Sequence, residues 1–171
     1  MIKSEKKIKE LATILDKDNN ILISEAIGLL REEQPFEGAI GLLTTFYDKT
    51  DDSLIRKTIE VFMNDLKDQS ASKEIIIEII KPLKPATISM LVSSCWQSGL
   101  DYSEYSSELA EIFLQGDYVT AIECLTVIEE SVKLLSRGKK DDIMSIIEKN
   151  PFPVPEQKKT LTLELLSVLR R

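Results

Sequence analysis

Histidine is absent from this 171-residue chain. Its absence removes Ser-His-Asp and Cys-His nucleophile systems, and with them the usual zinc and di-iron ligand sets. Glycine is scarce, with six residues scattered along the chain and no Gly-Lys-Ser/Thr run, so there is no phosphate-cradling loop. Only two cysteines occur, Cys95 and Cys124, each inside an apolar helical stretch. They read as buried, reduced thiols, and Cys95 beside Ser94 has no base near it in sequence. Long apolar runs are missing too. The segments around Ile21–Ile23 and Ile75–Ile77 are cut short by Glu25 and Glu78, far below the roughly 20 residues that cross a bilayer. The basic start, MIKSEKKIKELATIL, lacks a continuous apolar core and a small-residue cleavage site. It reads as an amphipathic first helix and not a leader, and the expected location is the cytoplasm.

What is present is acid and apolar periodicity. Twenty-nine Asp and Glu outweigh twenty-two Lys and Arg for a net charge of −7, which makes nucleic acid a poor partner unless one face is locally basic. Hydrophobic residues make up 43% of the chain, enough for one domain with a real core. From Pro85 to Val132 there is no lysine or arginine at all. The same span carries Asp101, Glu104, Glu108, Glu111, Asp117, Glu123, Glu129 and Glu130. The bases crowd elsewhere, at Lys3, Lys6, Lys7 and Lys9, and again at Arg137, Lys139, Lys140, Lys158 and Lys159.

A helix-start signal recurs through the chain. Asn20 opens NILISEAIGLL, Asp52 opens DSLIRKTIEVF, Pro85 opens PATISMLVSSCW and Asp117 opens DYVTAIECLTVI, at separations of 32, 33 and 32 residues. A looser copy opens at Pro155, 38 residues on. A fixed period of this size is the mark of stacked helical hairpins. The pattern predicts ten helices, at 4–15, 21–33, 36–48, 53–66, 73–81, 86–97, 103–114, 118–136, 140–148 and 156–169. They pair into five hairpins over about 3–34, 35–68, 71–98, 101–137 and 139–170, and the fold class is all-α in a single domain. The β-branched run Ile75–Ile80 has no second strand to pair with and is assigned to helix. Asp52 and Asp117 are expected N-caps, Asp101-Tyr-Ser-Glu104 a capping box, Pro35, Pro85 and Pro155 first-turn residues, and Gly99, Gly116 and Gly138 helix C-caps.

At Asp52-Ser-Leu-Ile-Arg56 the chain resembles the Asp-x-x-Val-Arg signature of HEAT repeats. The resemblance implies a right-handed α-α superhelix, a short HEAT-like solenoid. In it Asp52 would cap the second helix of its hairpin and Arg56 would reach across to turn acids of neighbouring repeats. The Arg position holds Ser24, Ser89 and Ala121 in the other copies, so no Asp–Arg ladder runs through this chain. The Trp-Leu-Gly-Tyr spacing of tetratricopeptide repeats and the Thr-Pro-Leu-His of ankyrin repeats are absent.

The chemistry-bearing residues point to binding and not catalysis. Glu108 with Glu111, and Glu74 with Glu78, share helix faces, but a di-iron site needs Glu-x-x-His, and these pairs read as solvated acids. No catalytic residue, metal ligand or cofactor is expected. The expected activity is protein or peptide binding, with a basic partner favoured by the acidic span. The candidate contact residues are Trp96, Tyr102, Tyr105, Tyr118, Glu104, Glu108, Glu111 and Glu123. Phe113, amid Leu109, Ile112 and Leu114, reads as core. Should the second helices line a concave surface, its polar positions are Arg56, Lys57, Glu60, Ser89, Ser93, Gln97, Thr120 and Glu123. Two other readings stay open: an acidic inhibitor or immunity-type protein that plugs a basic site, and a HEAT-like nucleic-acid-handling protein. The last needs a basic concave face that Arg56, Lys57, Lys158 and Lys159 would have to supply.

Overall fold

The structure is a computed structural model that describes residues 1, 3–17, 19–33 and 35–171. Among them are ten α-helices and no strand. They are α1 (Glu5–Leu15), α2 (Asn20–Glu33), α3 (Ala39–Lys49), α4 (Ser53–Asn64), α5 (Ala71–Ile79), α6 (Pro85–Ser98), α7 (Ser106–Gln115), α8 (Tyr118–Ser131), α9 (Arg137–Glu148) and α10 (Glu156–Arg170), with a 3₁₀ turn at Ser103–Tyr105. The expected boundary between the first two hairpins, at Gln34, lies outside the described residues.

The chain divides into two compact units, Met1–Leu100 and Asp101–Arg171. In the first unit consecutive helices pair as α1 with α2, α3 with α4 and α5 with α6. Across the pairs, α1 packs on α3 and α3 on α5, while α2 packs on α4 and α4 on α6. In the second unit α7 pairs with α8 and α9 with α10, α7 packs on α9, and α8 packs on α10. Odd helices therefore meet odd, and even meet even, inside each unit.

The burial pattern carries the repeat more strictly than the start residues do. The third residue past the cap is Ile55 in α4, Thr87 in α6 and Thr120 in α8, and Ile23, the fourth past Asn19, takes the same place in α2; each is at most 1% exposed. Four residues on come Ile27, Ile59, Leu91 and Cys124, again at most 1% exposed. Thr87 is flanked by Lys84 as the N-cap of α6, so Pro85 is the first helical residue and not the cap. The Ile75–Ile80 run is helical for a visible reason. Ile75, Ile76 and Ile79 are buried while Ile77 and Ile80 are exposed, a period that a strand cannot produce.

Several ends differ from expectation. Asp52 Oδ1 accepts from Ile55 N at 2.9 Å and Asp117 Oδ1 from Thr120 N at 2.8 Å, so both cap as expected. At α2, however, the cap is Asn19, whose Oδ1 accepts from the N–H groups of Ile21 and Leu22. Asn20 is thereby released to donate to Asp52 Oδ2 at 2.7 Å, which ties the first hairpin to the second. Asp101 accepts from Ser103 N at 2.8 Å and opens the 3₁₀ turn, so the helix proper begins at Ser106, too late for a capping box at Glu104. Pro35 is buried ahead of α3 and lies outside its first turn; Gly38, at φ +93°, is the N-cap. Gly99 at φ +69° ends α6 as expected. Gly116 ends α7 in extended backbone, and Gly138 lies inside α9. Helix α8 stops at Ser131 and not at 136, because Leu135 turns inward and Ser136 is used to cap α9 through Lys139 N.

Candidate functional site

The glutamates of the 101–131 stretch fall on two stripes, one along α7 and the turn before it and one along α8. On α7 the inward residues are Ser106, Leu109, Ala110 and Phe113, all buried. That spacing turns Glu108 and Glu111 outward, in line with Glu104 from the preceding turn. Glu104 and Glu111 are exposed and Glu108 half-buried. On α8 the inward residues are Thr120, Ala121, Cys124, Leu125, Val127, Ile128 and Ser131. The outward ones are Tyr118, Val119, Ile122, Glu123, Thr126, Glu129 and Glu130. Among the described residues, Glu104, Glu108, Glu111, Glu129 and Glu130 make no ion pair.

Four bases of the same unit are occupied, and Lys139 reaches a carbonyl. Lys158, on α10, is only 3% exposed. Its ammonium donates to the carbonyl oxygens of Phe113 at 2.9 Å, Leu114 at 2.8 Å and Gly116 at 2.8 Å. These are carbonyls at the end of α7, which a helix leaves without partners and which carry the negative end of its dipole. The Phe113 ring lies 5.7 Å from the same ammonium. Burial pushes the Lys158 ammonium below its usual range, opposed by the charges of Cys124 and Asp117. Arg137 pairs with Asp141, Lys159 with Glu156 and Arg170 with Glu148. Lys139 reaches the carbonyl of Ser103.

The sequence candidates therefore separate. Tyr118 is 42% exposed and Tyr105 half-buried. Tyr102 is 1% exposed and belongs to the core, which corrects its place among the partner-facing aromatics. Phe113 is core as expected. Glu123 is half-buried on the α8 stripe, and Thr120, expected on a polar surface, is buried. Trp96 stands in the first unit, near the end of α6, and is 38% exposed.

Asp52 and Arg56 sit at the start of α4. The Arg56 guanidinium lies over the Tyr47 ring at 4.5 Å, within its own hairpin. Tyr47 donates its hydroxyl proton to Glu60 at 2.9 Å, and Glu60 pairs with Lys57. Burial, then the Glu60 carboxylate, pushes the Tyr47 phenol up. Gln97 accepts from Asn64 at 2.8 Å and donates to Ser93 at 2.7 Å. Ser89 is half-buried on α6.

Two features escaped the sequence. Val119 and Ile122 put apolar area beside Tyr118 on an outward stripe; the signal was apolar residues out of phase with Thr120, Cys124 and Val127. Lys158 is the other. Its signal was its position on the stripe Leu161, Leu165 and Val168, at spacings that place all four on one buried face.

The Glu74 and Glu78 pair is not simply a solvated face. Glu74 Oε1 accepts from the N–H groups of Gly38 at 3.0 Å and Gly41 at 3.2 Å, whereas its Oε2 is buried without a hydrogen-bond partner among the described residues. Burial pushes the Glu74 carboxyl up, against those two donors and with the charge of Glu78. Glu78 is 4% exposed and bound to Lys81 at 2.6 Å. Among the described residues there is no group of three or more His, Cys, Asp or Glu side chains able to hold a metal ion. Nor is any helix among them long and apolar enough to cross a membrane.

Comparison with protein-family models, with curated proteins and with solved structures finds no match.

Proposed function

We propose that the chain is a non-catalytic binding module that takes a basic protein or peptide on the acidic surface of its second unit. The observation that carries this reading is that Glu104, Glu108, Glu111, Glu129 and Glu130 face outward and make no ion pair among the described residues. A carboxylate beside a lysine projects little field, and in this unit Arg137, Lys159 and Arg170 are committed to other acids and Lys158 to carbonyls. Glu104, Glu108, Glu111, Glu129 and Glu130 are left to act together outward, as a surface that steers an oppositely charged partner must. Such steering acts over about 8 Å at physiological ionic strength and fades as salt rises.

In this reading the hairpins of each unit stack as in a short HEAT-like solenoid. The packing of odd on odd and even on even helices supports it, as does the 32-residue burial register of the first three even helices. The nucleic-acid alternative loses support. Lys158 is buried, Lys159 is paired, and Arg56 and Lys57 are tied to Tyr47 and Glu60.

The test is the triple variant Glu104→Gln, Glu108→Gln, Glu111→Gln. A partner captured from the native cell on the wild-type chain should associate with the variant more slowly at low salt, by about tenfold, and the difference should vanish at high salt. Equal association rates at low salt would remove α7 from the reading, and equal rates for a second variant carrying Glu129→Gln and Glu130→Gln would end it.

A further inference from the structure

Acid alone does not explain the outward face of α8. Its first half is apolar: Tyr118, Val119 and Ile122 are 42%, 55% and 38% exposed. They stand at i, i+1 and i+4, which brings the three side chains together on one side of the helix. The second half of the same face is Glu123, Thr126, Glu129 and Glu130, with no cation before Lys133. The two halves run head to tail along about three turns of helix, roughly 16 Å. The polar tip of Thr126 turns back to the Ile122 carbonyl at 3.1 Å, so this position offers the surface mainly its methyl group.

From this arrangement we infer that the outward face of α8 docks a basic amphipathic helix, seating its apolar residues on Tyr118, Val119 and Ile122 and its Lys or Arg residues on Glu129 and Glu130. The inference rests on the acidic-dock reading and names its partner class. Charge complementarity decides the occupant. A nucleic acid or an anionic lipid surface meets repulsion from the same carboxylates. A second copy docked face to face by a two-fold axis sets α8 acids against α8 acids when the helices run parallel, and against the apolar seat when they run antiparallel, so neither pairing neutralises them. A basic amphipathic helix answers both halves of the face at once, and the apolar seat supplies contact area that point charges in water do not.

The test uses a fluorescein-labelled peptide of leucine and lysine, about 14 residues or four helical turns, with leucines at i, i+3, i+4 and i+7. Two controls are the same peptide with each lysine replaced by glutamate, and a scrambled peptide of equal charge and no apolar face. Anisotropy titrations with the whole chain should show binding of the first peptide only. Affinity should fall about tenfold or more for Val119→Ser with Ile122→Ser, a loss of the size that separates anchoring contacts from neutral ones. For Glu129→Gln with Glu130→Gln, the affinity and its salt dependence should both fall. These positions are exposed, so circular dichroism melts of the variants should overlay the wild type, and amide chemical-shift changes on peptide addition should cluster at 118–130.

Equal binding of the scrambled peptide, or affinity unmoved by the Val119 and Ile122 substitutions, overturns the α8 seat. If the α7 triple variant then abolishes binding, the acidic dock stands without it. No binding of any basic peptide, with the chain folded, overturns both. A concentration-dependent dimer that the α8 substitutions dissolve overturns the inference in favour of self-association.

Discussion

In the first unit Glu33 meets Lys7, Asp65 meets Arg31, Glu60 meets Lys57 and Glu78 meets Lys81. In the second unit Glu104, Glu108, Glu111, Glu129 and Glu130 make no ion pair among the described residues, and the ion pairs of that unit lie on α9 and α10. The polar bonds between helices differ in the same way. The first unit links its hairpins by side chains about one repeat apart: Asn20 to Asp52, Asn64 to Gln97, Asp48 to Lys84 N and Thr87, and Glu74 to Gly38 and Gly41. The second unit concentrates three such bonds on one buried ammonium, Lys158. The first arrangement spreads the cost of ordering over many small contacts. The second makes one residue critical.

The largest expected effect breaks that contrast at Lys158. Lys158→Met keeps the stem that packs beside Leu161 but strands the carbonyls of Phe113, Leu114 and Gly116. Unsatisfied buried polar groups cost about 1–3 kcal/mol each, and water can reach part of this site, so a loss of about 3 kcal/mol is expected in urea unfolding. A change below about 0.5 kcal/mol, the scale of an ordinary surface substitution, would show that solvent replaces the ammonium without difficulty.

Next in size is Asp52. It accepts from Ile55 N and also from Asn20, so Asp52→Ala should cost about 1–2 kcal/mol, the upper half of the N-cap range. Arg56→Ala should cost less, about 0.5–1 kcal/mol, the usual worth of a half-exposed cation over a ring. A cost for Arg56→Ala above that of Asp52→Ala, by thermal or urea unfolding, would point to a role for the guanidinium beyond the Tyr47 contact.

The residues that were legible in sequence are those whose partners are local. Asp52 and Asp117 bond three residues ahead, and Gly99 closes the helix that precedes it. Each of these is settled within about two helical turns. The misread residues have partners far along the chain or answer to packing. Lys158 serves carbonyls 42 to 45 residues earlier. Tyr102 looks identical to Tyr105 in sequence until the turn at Ser103–Tyr105 sends one ring inward. Asn19 and Asn20 are both good caps, and what separates them is Asp52 of the next hairpin, within reach of Asn20 alone. The outward acids of α7 were legible because helical spacing fixes a face. That Arg137, Lys158, Lys159 and Arg170 are engaged elsewhere was not, since pairing is a three-dimensional fact.

The smallest expected effect concerns acid. Asp48 sits at the end of α3 and caps α6 from outside, accepting from Lys84 N at 2.9 Å and from the Thr87 hydroxyl at 2.7 Å. Partial burial pushes its carboxyl up, but those two donors and the charges of Lys84 and Arg56 outweigh it and hold the group below its ordinary 3.8. Asp68 is held at about 2, chiefly by the hydroxyl and N–H of Ser70. A carboxyl depressed in the folded state binds its proton later than in the unfolded chain. Between about pH 4 and pH 2 the unfolded state therefore carries more protons, and stability rises with pH across that window. Above it the contribution is complete; as pH falls through the folded-state values it is lost. Asp48→Asn keeps an oxygen to accept from Lys84 and Thr87 while removing the titration. Its melting temperature should sit slightly below the wild type near neutral pH, and the gap should close as the solution approaches pH 2. A gap that persists undiminished at pH 2 would mean that the amide spoils the cap geometry itself, and that hydrogen bonding at α6 outweighs charge.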